Sequence, residues 1–417
     1  MRAATKAASA APPGLFRLLA LTGLFMMLVQ VHRSSGAVIA NNLSADGFTP
    51  SQIATVVSAM FLASALFQLP AGVMFDRYGA RLTLAGLGLV AVAGVLVFAL
   101  SDSVLGLSAG RFLIGVGHGG AIAGIYLLAL AWVAPHRVAT TTGGIVAVAG
   151  GIGGVLATAP LVLALDCIGR LWTFVWIAAA TLIVTLAIGA MITDKPPEHT
   201  GERRHTGETL AQSLRGLWEV AAERKLWPVY AMGTCFSVPF HAIGGLWSGP
   251  YLLDAHGFTE EQASVAVLGM VAAFHLGNLL YGPAERLFAT RKWTIVGGSL
   301  AMVAVLLILA AIPELGAYGA VALLVLFCLF APFYPVLAAH CRGFVPMARA
   351  GRAIACVNLM GLTTVFALQK LTGFMIDATA SPDGNTTLLG YRLVFVTIGA
   401  ALVLAVFGYL KVRDVPP

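Results

Sequence analysis

Charge is scarce in this chain. Lys, Arg, Asp and Glu make up 10% of its 417 residues and apolar types 59%, against roughly 25% and 45–50% in an ordinary soluble domain. So few charges cannot coat one water-soluble body of this size, and a mean hydropathy of +0.89 makes lipid the main solvent. Cysteine is scarce too. Cys167, Cys235, Cys328, Cys341 and Cys356 form no CxxC pair, and four of them fall in or beside apolar runs, where a thiol acts as a small hydrophobe. A disulfide scaffold, a metal finger and a redox motif therefore drop out. No GxxxxGK loop is present to cradle a nucleotide phosphate, and no catalytic constellation or cofactor motif is visible, so an enzyme is not expected. The balance of +7 is dispersed over short segments between apolar runs, which argues against nucleic acid as a partner.

What is present is a series of apolar runs of membrane-crossing length. A crossing helix needs about 20 apolar residues, and twelve spans are expected at 15–40, 52–74, 81–100, 104–134, 139–165, 170–192, 227–253, 261–288, 293–312, 316–341, 351–377 and 390–411. No small-residue cleavage site follows the first run, so it is read as retained. An even count puts both termini on one side. Placing them in the cytoplasm puts 20 of the 25 Lys and Arg there, as the positive-inside rule requires. The polar stretch 194–226 separates two six-span halves, 1–193 and 227–417. Its second part carries Leu210, Leu214, Leu217, Trp218 and Ala221 on one face, which suits a helix lying in the cytoplasmic interface; a flexible linker is the alternative.

Half-length repeats mark several transporter folds. Gly72, Asp76 and Arg77 close span 2, and Gly282, Glu285 and Arg286 close span 8, with Arg77 and Arg286 209 positions apart. A weaker pair opens spans 6 and 12, where Gly169-Arg170 with Phe174 answers Gly390-Tyr391-Arg392 with Phe395. The segment Gly72-x-x-x-Asp76-Arg77-x-Gly79-x-Arg81, in a loop between spans 2 and 3, together with Arg111-x-x-x-Gly115-x-Gly117 in span 4, resembles the major facilitator superfamily. The resemblance implies two six-helix, pseudo-symmetric bundles that rock about a central site. Asp76 and Arg77 would then form a charged latch at the cytoplasmic seam, with Gly72, Gly79, Arg81, Arg111, Glu285 and Arg286 as its other elements. Because Glu285 stands one residue closer to its glycine than Asp76 does, and Pro283 follows that glycine, the second latch should be weaker or differently shaped.

An ionisable group inside a span costs roughly 2.5–3.5 kcal/mol on insertion scales and demands a partner, a wet cavity or a function. The span interiors hold Arg33 with His32, His118, His241, His275 and Lys370, whereas every Asp and Glu sits in a loop or at a span end. A cation exporter would offer a buried carboxylate; a positive cavity suits an anion. Arg33 shares a helix face with Gln30 and resembles the span-1 arginine of the organophosphate antiporter and anion:cation symporter branches, which binds the substrate's anionic group. His241 lies 208 positions later, in a stretch of span 7 similar to the one where organophosphate antiporters carry a second arginine. The repeat should set Arg33 and His241 face to face. A histidine there disfavours a phosphate ester and favours a carboxylate, because a titratable ring is a weaker clamp than a second guanidinium fork.

Pro239 and Gly244-Gly245 should loosen the helix around His241. His118, on one face with Arg111 and Gly115, and Tyr126 are further candidate ligands. So is Tyr334, beside an expected break at Pro332-Phe333-Tyr334-Pro335. Buried packing is the alternative for His118. His275 with Asn278, and Asn358 with Gln369, read as interhelical hydrogen-bonding residues. Lys370 is expected to pair with Asp377 or reach the outer headgroups, and the Gly150-x-x-x-Gly154 run to let helices approach closely. Span 5 lacks the Gly-Pro pair of the drug-antiporter signature.

The expectation is a monomeric secondary transporter of a small organic anion in an inner membrane, with a coupling proton or an exchanged anion. Three alternatives stay open: a transition-metal carrier using Met232, Cys235, His241, Met270 and His275, a drug exporter, and a membrane sensor that binds without transporting.

Overall fold

The computed structural model describes residues 14–134, 137–196, 209–312, 315–382 and 386–417. The basic residues Arg2 and Lys6 and most of the first part of the polar stretch lie outside them. Among the described residues the elements are helical. The first half comprises α1 (Leu15–Ser34), α2 (Gly36–Ala45), α3 (Pro50–Ala99), α4 (Val104–His118), α5 (Ala121–Trp132), α6 (Val138–Gly144), α7 (Gly150–Leu156) and α8 (Ala159–Met191). After α9 (Leu210–Ala221) come α10 (Trp227–Gly233), α11 (Ser248–His256), α12 (Glu260–Leu287), α13 (Lys292–Ala311), α14 (Ala317–Phe330), α15 (Tyr334–Arg342), α16 (Met347–Ala378) and α17 (Leu388–Tyr409). Nine stretches among the described residues are long and apolar enough to cross a bilayer. The chain is an all-α membrane protein.

Capping chemistry fixes where several helices begin. Thr49, Thr209 and Thr259 each accept from the backbone of a Gln three residues on, and that Gln side chain accepts in return, the reciprocal box that satisfies two free N–H groups of a first turn. The Thr49 and Thr259 boxes, 210 positions apart, open α3 and α12 and extend the internal repeat. The box at Thr209 starts the amphipathic helix expected in the polar stretch. That helix lies against α16 and α10: Cys356 Sγ faces the Leu217 carbonyl at 3.8 Å, Arg349 pairs with Glu223 at 3.4 Å and Tyr230 of α10 donates to the Val220 carbonyl at 3.2 Å.

The segment from Gly72 to Arg81 is not the loop that the spacing suggests. Helix α3 runs through Tyr78 and resumes at Ala80, and the two spans are joined by Gly79 alone, at φ 81 and ψ 171. Glycine carries that backbone at no steric cost, so one residue turns the chain. Other spans break where expected. α14 gives way to α15 over Ala331–Phe333, and the helix around His241 widens into a π-helical stretch, Pro239–Trp247. A second π-helical stretch, Ile145–Ala149, precedes α7. α1 and α2 are separated at Ser35, just past Arg33.

The halves meet along α1 and α2 against Pro239–Trp247 and α11, α3 against α16, and α7 against α12. Contact is closest at the end of the bundle bearing Asp46, Asp102 and Asp377. A Cβ on Gly36 would run into the Gly245 carbonyl oxygen, and one on Gly373 would lie 2.5 Å from Ala54 Cβ. Asp377 accepts from the Ser51 N–H at 3.1 Å and the Thr49 hydroxyl at 3.3 Å, while Lys370 Nζ donates to Thr55 Oγ1 at 2.7 Å. Lys370 and Asp377 thus join the halves separately instead of pairing with each other.

Candidate functional site

Arg33 ends α1 at the contact between halves. Its half-buried guanidinium makes no hydrogen bond or ion pair with any described residue. Its charge bears on His118 in its own half and on His241 across the interface. The His241 ring is held at Nδ1, 2.9 Å from both the Ser237 carbonyl and hydroxyl, which leaves Nε2 without a partner among the described residues. Phe61 of α3 packs edge-on against this ring at 4.7 Å. Gln369 donates its amide to the His241 carbonyl at 2.8 Å, a group that the π-helical turn makes available.

Beside Arg33, inside the first half, lies a second group. The His32 and His118 rings sit 5.3 Å apart, both fully buried, and none of their four ring nitrogens has a partner among the described residues. Arg111 donates from Nη1 to the His32 carbonyl at 3.0 Å, with Nε and Nη2 buried and unbonded. Arg111 therefore belongs to the interior and not to the cytoplasmic latch where its motif suggested it. Two guanidinium groups stand here with no carboxylate of the described residues against either. Buried charges are ordinarily paired, so the arrangement is incomplete until something negative arrives.

The remaining candidates are divided. Gln30 donates to Ser34 Oγ at 2.8 Å and is occupied within its own helix. Tyr334 stacks on Phe236 at 4.5 Å and lies within hydrogen-bonding reach of Asn358. Tyr126 is 45% exposed, unlike His118, because the break at Gly119-Gly120 rotates α5 relative to α4. Asn358 and Gln369 bond to different groups, and His275 Nε2 is buried without a partner against Gly151 and Gly154. Gly153 and Gly154 bring α7 close to α1 and α12, as the glycine run suggested. Among the described residues no three His, Cys, Asp or Glu side chains come together as a metal site needs.

At the opposite end of the bundle, Asp76 and Arg77 are exposed, and the Arg77 guanidinium lies over the Tyr78 ring. A Cβ on Gly72 or Gly282 would meet nothing within 4 Å, so these glycines hold no close approach in this conformation. Glu285 pairs with Arg291 at 3.2 Å inside its own half, and Arg286 is exposed. Arg81 ties α3 to α8, donating its backbone N–H to Asp194 at 2.8 Å and its Nε to the Gly189 carbonyl at 2.7 Å. The second half repeats the arrangement: Lys292 donates its N–H to Asp414 at 3.0 Å and its Nζ to the Leu410 carbonyl at 2.7 Å. Asp194 and Asp414 were not singled out by the sequence, although each follows the last apolar residues of its half. At the other end of the bundle Arg170 pairs with both Asp46 and Asp102 at 2.5 Å, and Tyr391 donates to Asp254 at 2.6 Å.

The Major Facilitator Superfamily profile matches residues 18–369. The chain is 25% identical over 245 residues to a protein of Cupriavidus necator described as a probable sulfoacetate transporter, SauU, an alignment covering 57% of this chain and 56% of the relative. The chain thus spans little more than half the length of that relative. Among solved structures, the nucleoside transporter NupG is similar with a TM-score of 0.74 at 14% identity, over 94% of this chain and 99% of the other. The D-xylose-proton symporter is similar at 0.71 and 14%, over 96% and 98%. These two likenesses concern the fold alone. With the profile spanning most of the sequence, the chain belongs to the Major Facilitator Superfamily.

Proposed function

We propose that the protein carries a small organic anion, a carboxylate or a sulfonate, by alternating access through twelve membrane crossings. In this reading Arg33 anchors the anion from the first half and His241 answers from the second. The observation that carries it is the unpaired Arg33 guanidinium at the contact between halves. The similarity to a relative named for sulfoacetate supports an anionic cargo. A single fork and a ring suit a carboxylate or sulfonate group better than a phosphate dianion, for which a second fork would be the natural partner. We place the protein in the inner membrane as a monomer with cytoplasmic termini, and read Asp76 and Arg77 as the latch of the outward-facing state.

Thermal shift of the purified protein against sulfoacetate, simple carboxylates, phosphate esters, divalent metals and cationic drugs tests this, because a ligand of the folded state raises its apparent stability. Sulfoacetate or a carboxylate should give the shift. Arg33→Ala should abolish it, by at least about 30-fold in affinity; Arg33→Lys should lose most of it and His241→Gln less. Normal transport by folded Arg33→Ala, or a cation as the best ligand, would overturn the reading. Vesicle flux separates a carrier from a sensor.

A further inference from the structure

We infer that the groove between α12 and α13 is a lipid site, which takes one acyl chain of an anionic phospholipid and holds the headgroup at the turn joining the two helices. α12 and α13 both pack on α14 but scarcely on each other. Between them lies a cavity of about 580 Å³, lined by Tyr281, Ala284, Phe288, Trp293, Gly297 and Phe330 among others, a volume in the range of small-molecule sites.

The groove has a floor, a closed end and a defined outlook. Tyr281 crosses from α12 so that its hydroxyl lies against Gly298 of α13 and donates to the Phe330 carbonyl of α14 at 2.7 Å. Further from the turn, a Cβ on Gly277 would run into the Leu329 carbonyl, so α12 and α14 close that end. From Gly277 to Phe288 a helix rises about 16 Å, about the hydrocarbon depth of one leaflet. His275 of α12 faces α7 of the first half. Ala284, nine residues on, points to the opposite side of the helix, and Phe288 and Trp293 at the rim are exposed. The groove therefore looks away from the contact between halves and into lipid.

The internal repeat shows why the second half is grooved at this place. Arg77 and Arg286 stand 209 positions apart, and the same offset carries Phe75 onto Ala284. In the first half the Phe75 ring is buried against Gly120 and Gly124 and fills the space beside span 2. Ala284 ends at a methyl group and leaves that space open.

Walls and rim select the occupant. The hydroxyls of the walls are committed: Tyr281 to Phe330, Thr294 to the Thr290 carbonyl at 2.6 Å, and Thr290 to Asp414. A polar guest would find no free hydroxyl inside. At the rim the charge is one-sided. The turn carries Glu285, Arg286, Arg291 and Lys292, and the last residues of the chain, tied to it through Asp414 and the Leu410 carbonyl, add Lys411, Arg413 and Asp414, which makes five basic residues against two acidic. Glu285 is taken by Arg291, and Asp414 by Thr290 and the Lys292 N–H. Arg286 and Lys411 have no carboxylate partner among the described residues, nor has the Trp293 indole N–H an acceptor there. Lys292 Nζ stands over the Trp293 ring at 5.2 Å. Such a rim attracts an anionic headgroup, and tryptophan is the side chain that anchors at headgroup level. Because lipid tails are as apolar as the groove, selection rests on the fit of the chain and on the headgroup charge.

Lipid retention tests this. Purified protein in detergent is mixed with a few molecules of phosphatidylglycerol or phosphatidylcholine per protein and examined by native mass spectrometry, and quenching of tryptophan fluorescence by phosphatidylglycerol brominated in its acyl chains is read alongside. Wild type should retain one phosphatidylglycerol in preference to phosphatidylcholine. Ala284→Phe, which supplies the ring that the first half carries, should lose that adduct, and Arg286→Gln/Lys411→Gln should lose the preference. Quenching should fall in Trp293→Phe. Undiminished retention by folded Ala284→Phe overturns the inference, as does retention of neither lipid, or of both equally, by wild type. Should Ala284→Phe fail to fold, equal quenching in wild type and Trp293→Phe overturns it independently. None of these measurements involves the cargo, so failure of the anion reading would leave them unchanged.

Discussion

Asp194 accepts the backbone N–H of Arg81 and so clasps the end of α8 to the turn that begins the second span of α3. The same clasp recurs in the second half between Asp414 and Lys292. Each clasp fixes the ends of two helices inside one half, which is what a bundle needs if it is to move as a rigid body.

The Asp414 clasp should be sensitive to acid. Burial alone would raise the Asp414 carboxyl, but hydrogen bonds from the Thr290 hydroxyl and the Lys292 N–H, with His340 and Arg291 nearby, hold it below its ordinary value. A carboxyl lowered in the folded state contributes stability that is complete above its unfolded value of about 4 and is lost as pH falls through the folded value. Asp414→Asn should therefore melt a few degrees lower at neutral pH, and its deficit should shrink below about pH 4. Differential scanning fluorimetry at both pH values checks this; an unchanged melting temperature at pH 7 refutes it.

Gly36 should set how tightly the outer face closes. A methyl group there would collide with the Gly245 carbonyl, which belongs to backbone and cannot swing aside. Overpacking of this kind costs about 1–3 kcal/mol, enough to shift a two-state balance by about tenfold or more. Gly36→Ala should leave the fold intact and make a cysteine at Asn41 more reactive toward an external maleimide.

Loss of Asp377 should act in the same direction by another route. The Ser51 N–H and the Thr49 hydroxyl both bond to that carboxylate across the interface. Asp377→Ala removes both links, so distance measurements between labels on α3 and α16 should show a larger outward-open population. Equal populations in variant and wild type would remove Asp377 from the gate.

Asp76→Asn or Arg77→Ala should slow transport while ligand affinity stays within a few-fold, because the latch proposed above biases conformations and does not touch the cargo. Complete loss of binding in folded variant protein would contradict this role.

Orientation has its own check. Cysteines between spans 2 and 3, 4 and 5, 8 and 9, and 10 and 11 should react from the cytoplasm, and a cysteine at Asp46 from outside; external labelling at Arg291→Cys would reverse the map.

The sequence by itself determined the solvent and the architecture. Apolar runs of bilayer length admit few alternatives to a helix, and the scarcity of internal carboxylates is a matter of composition. The spacing also marked Arg33 and His241, the break at Pro332, and the loosened helix at Pro239. Only the tertiary structure decided which side chains are left without partners. Arg111 reads as part of a family motif, yet its guanidinium reaches the His32 carbonyl, 79 positions away. The Asp194 and Asp414 clasps join spans that are distant in sequence. Lys370 and Asp377 stand two helical turns apart and could have bonded to each other, but α3 supplies a hydroxyl and a free helix N-terminus that take them separately. Pairing of polar groups depends on which helices pack against each other, and periodicity along one strand of sequence carries no record of that choice.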